Sequence, residues 1–229
     1  MRKIWTFGDS FTQGFLPQFD PNNPWADNYC KWKGFIPKVF GEILSDKFNF
    51  ELKNLGKYGS CNDDIFQKFA ERAEEINPGD IVIVGWTYGT RFKIATHENK
   101  FTTIAHIQER QPEYTDMSMD AINEMLYNRN KYSVYFRDVI NYMKLIKVFC
   151  KDCLVIFWNF DGFGSGWEDA NLSEFVEYLI PHKSRHRIFE ECPDFSDRHY
   201  SELGHIQLAN DLSDIITDYI NKENNNGKN

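Results

Sequence analysis

Two uninterrupted apolar runs constrain the fold of this chain more than any other feature. Residues 81–85 read Ile-Val-Ile-Val-Gly, and residues 154–158 read Leu-Val-Ile-Phe-Trp. Strands that are apolar at every position are buried on both faces, which is typical of a parallel sheet covered by helices on each side. Residues 2–7 form a further short β-rich run, and residues 48–55 alternate apolar and polar side chains. We therefore expect four strands of a parallel sheet.

Helical patterns lie between and after these strands. Four segments carry apolar residues at helical spacing, namely residues 34–47, 62–76, 119–149 and 201–220. Residues 16–32 contain three prolines and are expected to form a loop, and residues 172–180 read as a weak helix. Strands alternating with helices are joined by right-handed crossovers, which predicts the α/β class.

Length and charge narrow the range of functions. The length of 229 residues fits one domain with long loops. We expect this domain over residues 1–221, with a helical and loop insertion at about 92–135. Residues 222–229 contain no apolar side chain and are expected to be a disordered polar tail. The 26 Lys and Arg against 34 Asp and Glu give a net charge of −8. An acidic surface repels phosphate backbones, so no nucleic-acid partner is expected.

The N-terminus indicates where the protein works. Its apolar run, residues 4–7, stops at Gly8-Asp9, whereas a signal peptide needs roughly 7–15 apolar residues. No segment approaches the ~20 apolar residues of a membrane-spanning helix. We therefore expect a cytoplasmic protein without a membrane partner. Nothing in the sequence indicates an oligomeric state.

The turn after the first predicted strand contains Gly8-Asp9-Ser10. A serine at a strand-to-helix turn exposes its hydroxyl as a nucleophile does, but it needs a base. His199 precedes the last predicted helix and can reach over the sheet edge, and Asp197 can accept the imidazole proton. Asp194 is the alternative orienting carboxylate.

Three sequence blocks resemble those of the SGNH (GDSL) hydrolase family. Residues 7–14, Phe-Gly-Asp-Ser-Phe-Thr-Gln-Gly, resemble the first block, and residues 54–59, Asn-Leu-Gly-Lys-Tyr-Gly, resemble the second. Residues 197–205, with an Asp and a His before a helix, resemble the last. The blocks occur in the family's order, and the resemblance extends from residue 3 to about residue 217.

The resemblance implies both a fold and a mechanism. The fold would be a flavodoxin-like three-layer α/β/α sandwich with a parallel central sheet. The activity would be ester hydrolysis by Ser10, with His199 as base and Asp197 orienting it. Gly59 matches the family's oxyanion glycine. A residue without a side chain suits that position because it can bring its N–H close to the oxyanion. No cofactor and no metal are implied.

The third block departs from the family. The usual Gly-x-Asn-Asp is replaced by Gly85-Trp86-Thr87-Tyr88, so Thr87 is the expected oxyanion donor in place of Asn. Losing one oxyanion donor costs about 10²–10³ in rate, and the charge of Arg91 is a possible compensation. Substrate-binding residues are expected at the ends of the third and fourth strands: Trp86, Tyr88, Arg91 and Asn159.

The substrate is expected to be a small-molecule or carbohydrate ester, for example an O-acetyl group on a carbohydrate. The alternative is a weakly active or inactive relative that serves as a carbohydrate-binding or structural module, which Thr87 favours. A third possibility is a redox or metal protein that uses Cys150 and Cys153, whose spacing suits either chemistry. His182 and His186, together with Cys192, are a separate candidate metal site.

Overall fold

The computed structural model describes residues 1–15, 24–87, 91, 93–95, 101–103, 118–131, 134–159, 172, 175, 179–180, 186–195 and 197–226. Its strands, in chain order, are β1 (Lys3–Phe7), β2 (Glu51–Asn54), β3 (Ile81–Trp86), β4 (Lys93–Ala95), β5 (Phe101–Thr103), β6 (Leu154–Asn159) and β7 (Leu179–Ile180). Five of them form one sheet in the order β2-β1-β3-β6-β7, and every pair in it is parallel. This is the flavodoxin-like strand order. The other two, β4 and β5, form an antiparallel hairpin in the predicted insertion.

The helices are α1 (Ser10–Gln13), α2 (Pro24–Lys33), α3 (Phe40–Phe48), α4 (Asn62–Ala70), α5 (Met119–Lys131), α6 (Val134–Phe149), α7 (Ile188–Glu191) and α8 (Glu202–Asn226). Among the helices in the described ranges, none is long and apolar enough to cross a membrane.

Two hydrophobic layers lie on opposite faces of the sheet, because successive side chains of a strand point to opposite faces. On β3, Ile81 and Ile83 pack with residues of α3 and α8. The intervening Val82 and Val84 pack with residues of α4 and α6. The three-layer α/β/α fold predicted from the sequence is thereby confirmed.

Two local predictions were wrong near the first crossover. Residues 24–33 form α2 instead of a loop, and its Pro24 stands at the first helical position, where a missing N–H costs no hydrogen bond. Phe48 ends α3 instead of beginning a strand, because Asn49 adopts a left-handed conformation with φ 53° and stops the helix.

The later part of the chain differs from expectation in two places. Leu179–Ile180 is the short strand β7, paired with Phe157 and Trp158 of β6, where a weak helix was predicted. The last helix continues to Asn226, into the predicted polar tail. A 2.6 Å ion pair between Arg2 and Glu223 stabilises this extension. Residues 227–229 lie outside the described part of the chain.

Candidate active site

Ser10, His199 and Asp197 form a connected hydrogen-bonded chain beyond the carboxyl end of β1. The Ser10 Oγ and His199 Nε2 atoms are 2.7 Å apart, and His199 Nδ1 lies 2.7 Å from Asp197 Oδ1. A carboxylate only accepts hydrogen bonds, so Nδ1 carries the proton of a neutral imidazole and Nε2 accepts from the serine hydroxyl. This is the arrangement that a serine nucleophile and its base require. The alternative orienting residue, Asp194, is exposed.

The segment that carries His199 is held by the backbone of α7. The N–H groups of Ile188 and Phe189 donate to the carbonyl oxygens of His199 and Asp197, at 2.9 and 3.0 Å. Asp197 Oδ1 also accepts the backbone N–H of His199 at 2.7 Å, which fixes the carboxylate against the ring it contacts. The ring of Phe11 packs against the imidazole, with centroids 4.9 Å apart.

Helix α2 braces this region from outside. The Tyr29 hydroxyl donates to Glu191 at 2.6 Å and accepts the N–H of Glu202 at 3.0 Å. Burial and the hydrogen bond to Glu191 raise the pKa of Tyr29, so the hydroxyl stays protonated and keeps donating. Nothing in the spacing of the sequence motifs indicated this support.

The Gly59 segment is fixed by three hydrogen bonds to its backbone. Asn54 Oδ1 accepts the N–H of Gly56 at 3.0 Å, and the N–H of Lys57 donates to the Gly8 carbonyl at 3.0 Å. The N–H of Tyr58 donates to the side-chain oxygen of Gln13. Gln13 was not predicted, although it belongs to the first sequence block.

Gly59 itself faces open space. Its φ of +73° favours glycine, and a Cβ built there would meet no atom within 4 Å. The backbone N–H groups of Gly59 and Ser10 have no hydrogen-bond acceptor within the described ranges. Both N–H groups are therefore available to donate to a further acceptor.

Thr87 lies where the sequence placed it, at the end of β3, but its hydroxyl is used differently. The hydroxyl donates to Asp9 Oδ2 at 2.7 Å and accepts from Arg91 Nη1 at 3.0 Å. A hydroxyl has one proton, so Thr87 has none for an oxyanion while it donates to Asp9. Its backbone is fixed by Asn62, which accepts the Thr87 N–H at 2.9 Å and donates to the Thr87 carbonyl at 3.2 Å.

Two of the four predicted substrate-binding residues have structural contacts instead. Trp86 is buried on the face of β3 that packs against α4 and α6, and its ring stacks on Tyr142 and Phe157. The buried Asn159 amide donates to the Trp86 carbonyl at 2.9 Å, linking the ends of β6 and β3. Strand alternation and register thus direct both side chains into the protein. Tyr88 lies outside the described residues.

Cys150 and Cys153 precede β6 and therefore lie at the opposite edge of the parallel sheet from Ser10. Cys150 is buried and Cys153 is half-buried, and neither forms a disulfide. Within the described ranges there is no cluster of His, Cys, Asp and Glu that could hold a metal, and His182 lies outside those ranges. A cavity of about 160 Å³ opens beside α4, and Ser10 and His199 do not line it.

Solved structures with this fold include two proteins of the G-D-S-L family. One is from Desulfitobacterium hafniense DCB-2, with a TM-score of 0.50 and 13% identity over 94% of this chain and 99% of that chain. The other, a member of the lipolytic protein G-D-S-L family from Veillonella parvula DSM 2008, has a TM-score of 0.50 and 15% identity over 95% and 99%. No family model matches the chain, and no curated protein matches it by sequence. The likeness shows that this chain shares the fold of these two G-D-S-L proteins.

Proposed function

We propose that this protein is a serine esterase that hydrolyses a small acyl ester. The observation that carries the proposal is the unbroken chain from Ser10 Oγ through the His199 ring to Asp197, with both links at 2.7 Å. These residues come from opposite ends of the sequence, and a connected nucleophile, base and orienting carboxylate has a direct chemical use. A binding module has no need of this arrangement.

In the proposed reaction, Ser10 Oγ attacks the acyl carbonyl and its proton passes to His199 Nε2. The carbonyl oxygen becomes an oxyanion, which accepts hydrogen bonds from the N–H groups of Gly59 and Ser10. His199 then gives the proton to the departing alkoxide, and the serine keeps the acyl group. Water attacks this acyl-enzyme with His199 again as base, which releases the carboxylic acid and restores Ser10.

Thr87 has no oxyanion role in this mechanism, because its hydroxyl proton is committed to Asp9. The Asp197 carboxylate holds Nδ1–H and stabilises the imidazolium that forms in each half of the reaction. Two backbone donors alone are expected to support slower catalysis than three, since each donor contributes about 10²–10³ in rate.

The proposed substrate class is a small-molecule or carbohydrate ester with a short acyl group, such as an O-acetylated sugar. Charged and polar groups precede and follow the proposed site residues: Asp9, which contacts Thr87 and Arg91, precedes Ser10, and the exposed Lys57 lies two residues before Gly59. A long acyl chain needs a broad apolar surface, which these residues do not provide. The name of the similar Veillonella protein's family, lipolytic, agrees with ester hydrolysis as the reaction class.

Intact mass after treatment with diisopropyl fluorophosphate tests the proposal directly. The wild-type protein should gain one adduct, and Ser10→Ala and His199→Ala should gain none while keeping the wild-type circular dichroism spectrum. A panel of acetylated sugars, aryl acetates and longer aryl esters would then define the acyl group. A folded wild type that gains no adduct would contradict the proposal and favour the binding module.

A further inference from the structure

A buried carboxylate lies directly beside the proposed nucleophile. The Asp9 side chain is 4% exposed and precedes Ser10 in the chain. Its Oδ1 accepts the N–H of Phe11 at 3.0 Å, while Oδ2 accepts the Thr87 hydroxyl at 2.7 Å and Arg91 Nη1 at 2.9 Å. All three partners donate, so Asp9 acts as an acceptor only, as an ionised carboxylate does.

This negative charge opposes the proposed chemistry. When Ser10 attacks an ester, negative charge develops on the substrate oxygen, and a nearby carboxylate of the same sign raises the energy of that state. Burial leaves little water to screen the two charges from each other. The chain therefore needs a cation at Asp9, and in the described ranges Arg91 supplies it, with a side chain only 15% exposed.

We infer that Arg91 is a positioning residue for the esterase reaction, which cancels the charge of Asp9 and orients the Thr87 hydroxyl toward it. The inference rests on the proposed function of Ser10. The Arg91 guanidinium contacts both Asp9 Oδ2 and Thr87 Oγ1. It thereby completes a three-residue unit that joins the end of β3 to the turn before Ser10. This differs from the sequence prediction, in which Arg91 binds substrate.

Two other roles for Arg91 give different results. If Arg91 bound substrate directly, its removal would have the same effect whether or not position 9 carried a charge. If Arg91 only anchored the β4–β5 hairpin, removing a different anchor of the hairpin would lower kcat as much as removing Arg91. Lys93 is that different anchor, because its ammonium group lies 2.6 Å from Asp64 and 3.2 Å from Gln67 of α4.

The test is a double-mutant cycle on the full chain with Arg91→Ala, Asp9→Asn and the two combined. Contacting residues are typically coupled by factors of about 2 to about 150. We expect Arg91→Ala to lower kcat for an aryl acetate about 10-fold or more with little change in KM. In the Asp9→Asn background the same substitution should lower kcat by less than about 2-fold. Arg91→Lys should retain most of kcat, and Lys93→Ala should leave it near the wild-type value.

An equal loss of kcat in both backgrounds, or a loss confined to KM, would overturn the inference. A loss from Lys93→Ala that matches that from Arg91→Ala would also overturn it, since hairpin anchoring would then explain both. Thermal unfolding of each variant separates these effects from loss of fold. Arg91→Gln, which also removes the charge, replaces Arg91→Ala if the latter does not fold. Failure of diisopropyl fluorophosphate to modify wild-type Ser10 would overturn the proposed function together with this inference. Modification of Ser10 without coupling would overturn the inference alone.

Discussion

The turns after β1 and β3 end at the same edge of the sheet, yet they direct their hydroxyl groups differently. Ser10, after β1, points to a histidine 189 residues away, where its proton can leave. Thr87, after β3, points back to Asp9 and gives its proton to a buried carboxylate. Both residues occupy positions that the family resemblance marks as functional. The comparison teaches that a sequence motif predicts where a residue lies on the sheet edge. The groups that surround its hydroxyl decide which acceptor receives the hydrogen bond.

The largest losses of activity are expected when Ser10 or its hydrogen-bond partner His199 is replaced. Ser10→Ala and His199→Ala should each lower kcat/KM for an aryl acetate by about 10⁴-fold or more, because either change removes the activated nucleophile. Steady-state kinetics with parallel thermal unfolding would show this. Retention of activity in Ser10→Ala would place the chemistry elsewhere in the molecule.

Asp197→Asn should follow with a loss of about 10³–10⁴ in kcat. The amide can donate to Nδ1 and so favours the imidazole tautomer in which Nε2 carries the proton and cannot accept from Ser10. Kinetics of Asp194→Asn provide the control, since that exposed carboxylate was the alternative candidate. A larger loss of kcat in Asp194→Asn than in Asp197→Asn would indicate that Asp194, and not Asp197, orients His199.

Gly59→Ala is expected to lower kcat about 10-fold to 100-fold by disturbing one N–H donor. The new Cβ has open space, but the positive φ strains any residue with a side chain, at a cost of about 1 kcal/mol. Gly79 has a similar φ of +82° far from Ser10, so Gly79→Ala is a matched control for the strain alone. Equal kcat values for these two variants would remove Gly59 from the mechanism.

Thr87→Val sharpens the contrast between the two turns. It keeps the shape of the side chain and removes the hydroxyl, leaving Asp9 with one hydrogen bond fewer. We expect a loss of about 1–3 kcal/mol in the free energy of unfolding and a loss in kcat of at most about 10-fold. Chemical denaturation and kinetics would measure both. A fall of about 10²–10³ in kcat at unchanged stability would return Thr87 to the oxyanion role.

The smallest effect concerns the thiols. Burial raises the pKa of the Cys61 thiol to about 11, so this thiol stays protonated at pH 8 and becomes a reactive thiolate only as the pH approaches 11. A hydrogen bond from the Cys150 thiol lowers the pKa of the half-buried Cys153. Iodoacetamide at pH 8 should therefore modify Cys153 before Cys61, as peptide mapping would show, and leave esterase activity unchanged. Inactivation that follows Cys153 modification would reopen the redox alternative.

How much the sequence could predict differs between the sheet and the site. The strands β3 and β6 are apolar at nearly every position, so their burial and parallel pairing could be read directly. The two-residue strand β7 could not, because its pairing depends on the exposed edge of β6 and not on its own residues. Helix α2 was not predicted because the prolines of this segment indicated a loop. Pro24 nevertheless begins the helix, since proline is tolerated at the first helical position.

Within the site, the sequence predicted which residues lie near the sheet edge but not the direction of their hydrogen bonds. Ser10, His199 and Asp197 are brought together in the predicted order. The hydrogen bond of Asn159 to the Trp86 carbonyl depends on the register between β3 and β6, which places these two residues opposite each other. Strand register is a tertiary property that no local pattern in these segments encodes.

The 189-residue separation between Ser10 and His199 has a consequence for how the protein is made. Synthesis proceeds from the N-terminus, so β1, β2 and β3 leave the ribosome well before the segment that carries the base. A nascent chain that has already paired these strands holds an unactivated serine. Under the proposed mechanism, Ser10 therefore has no base until the segment that carries His199 and Asp197 has been made and has docked against α7.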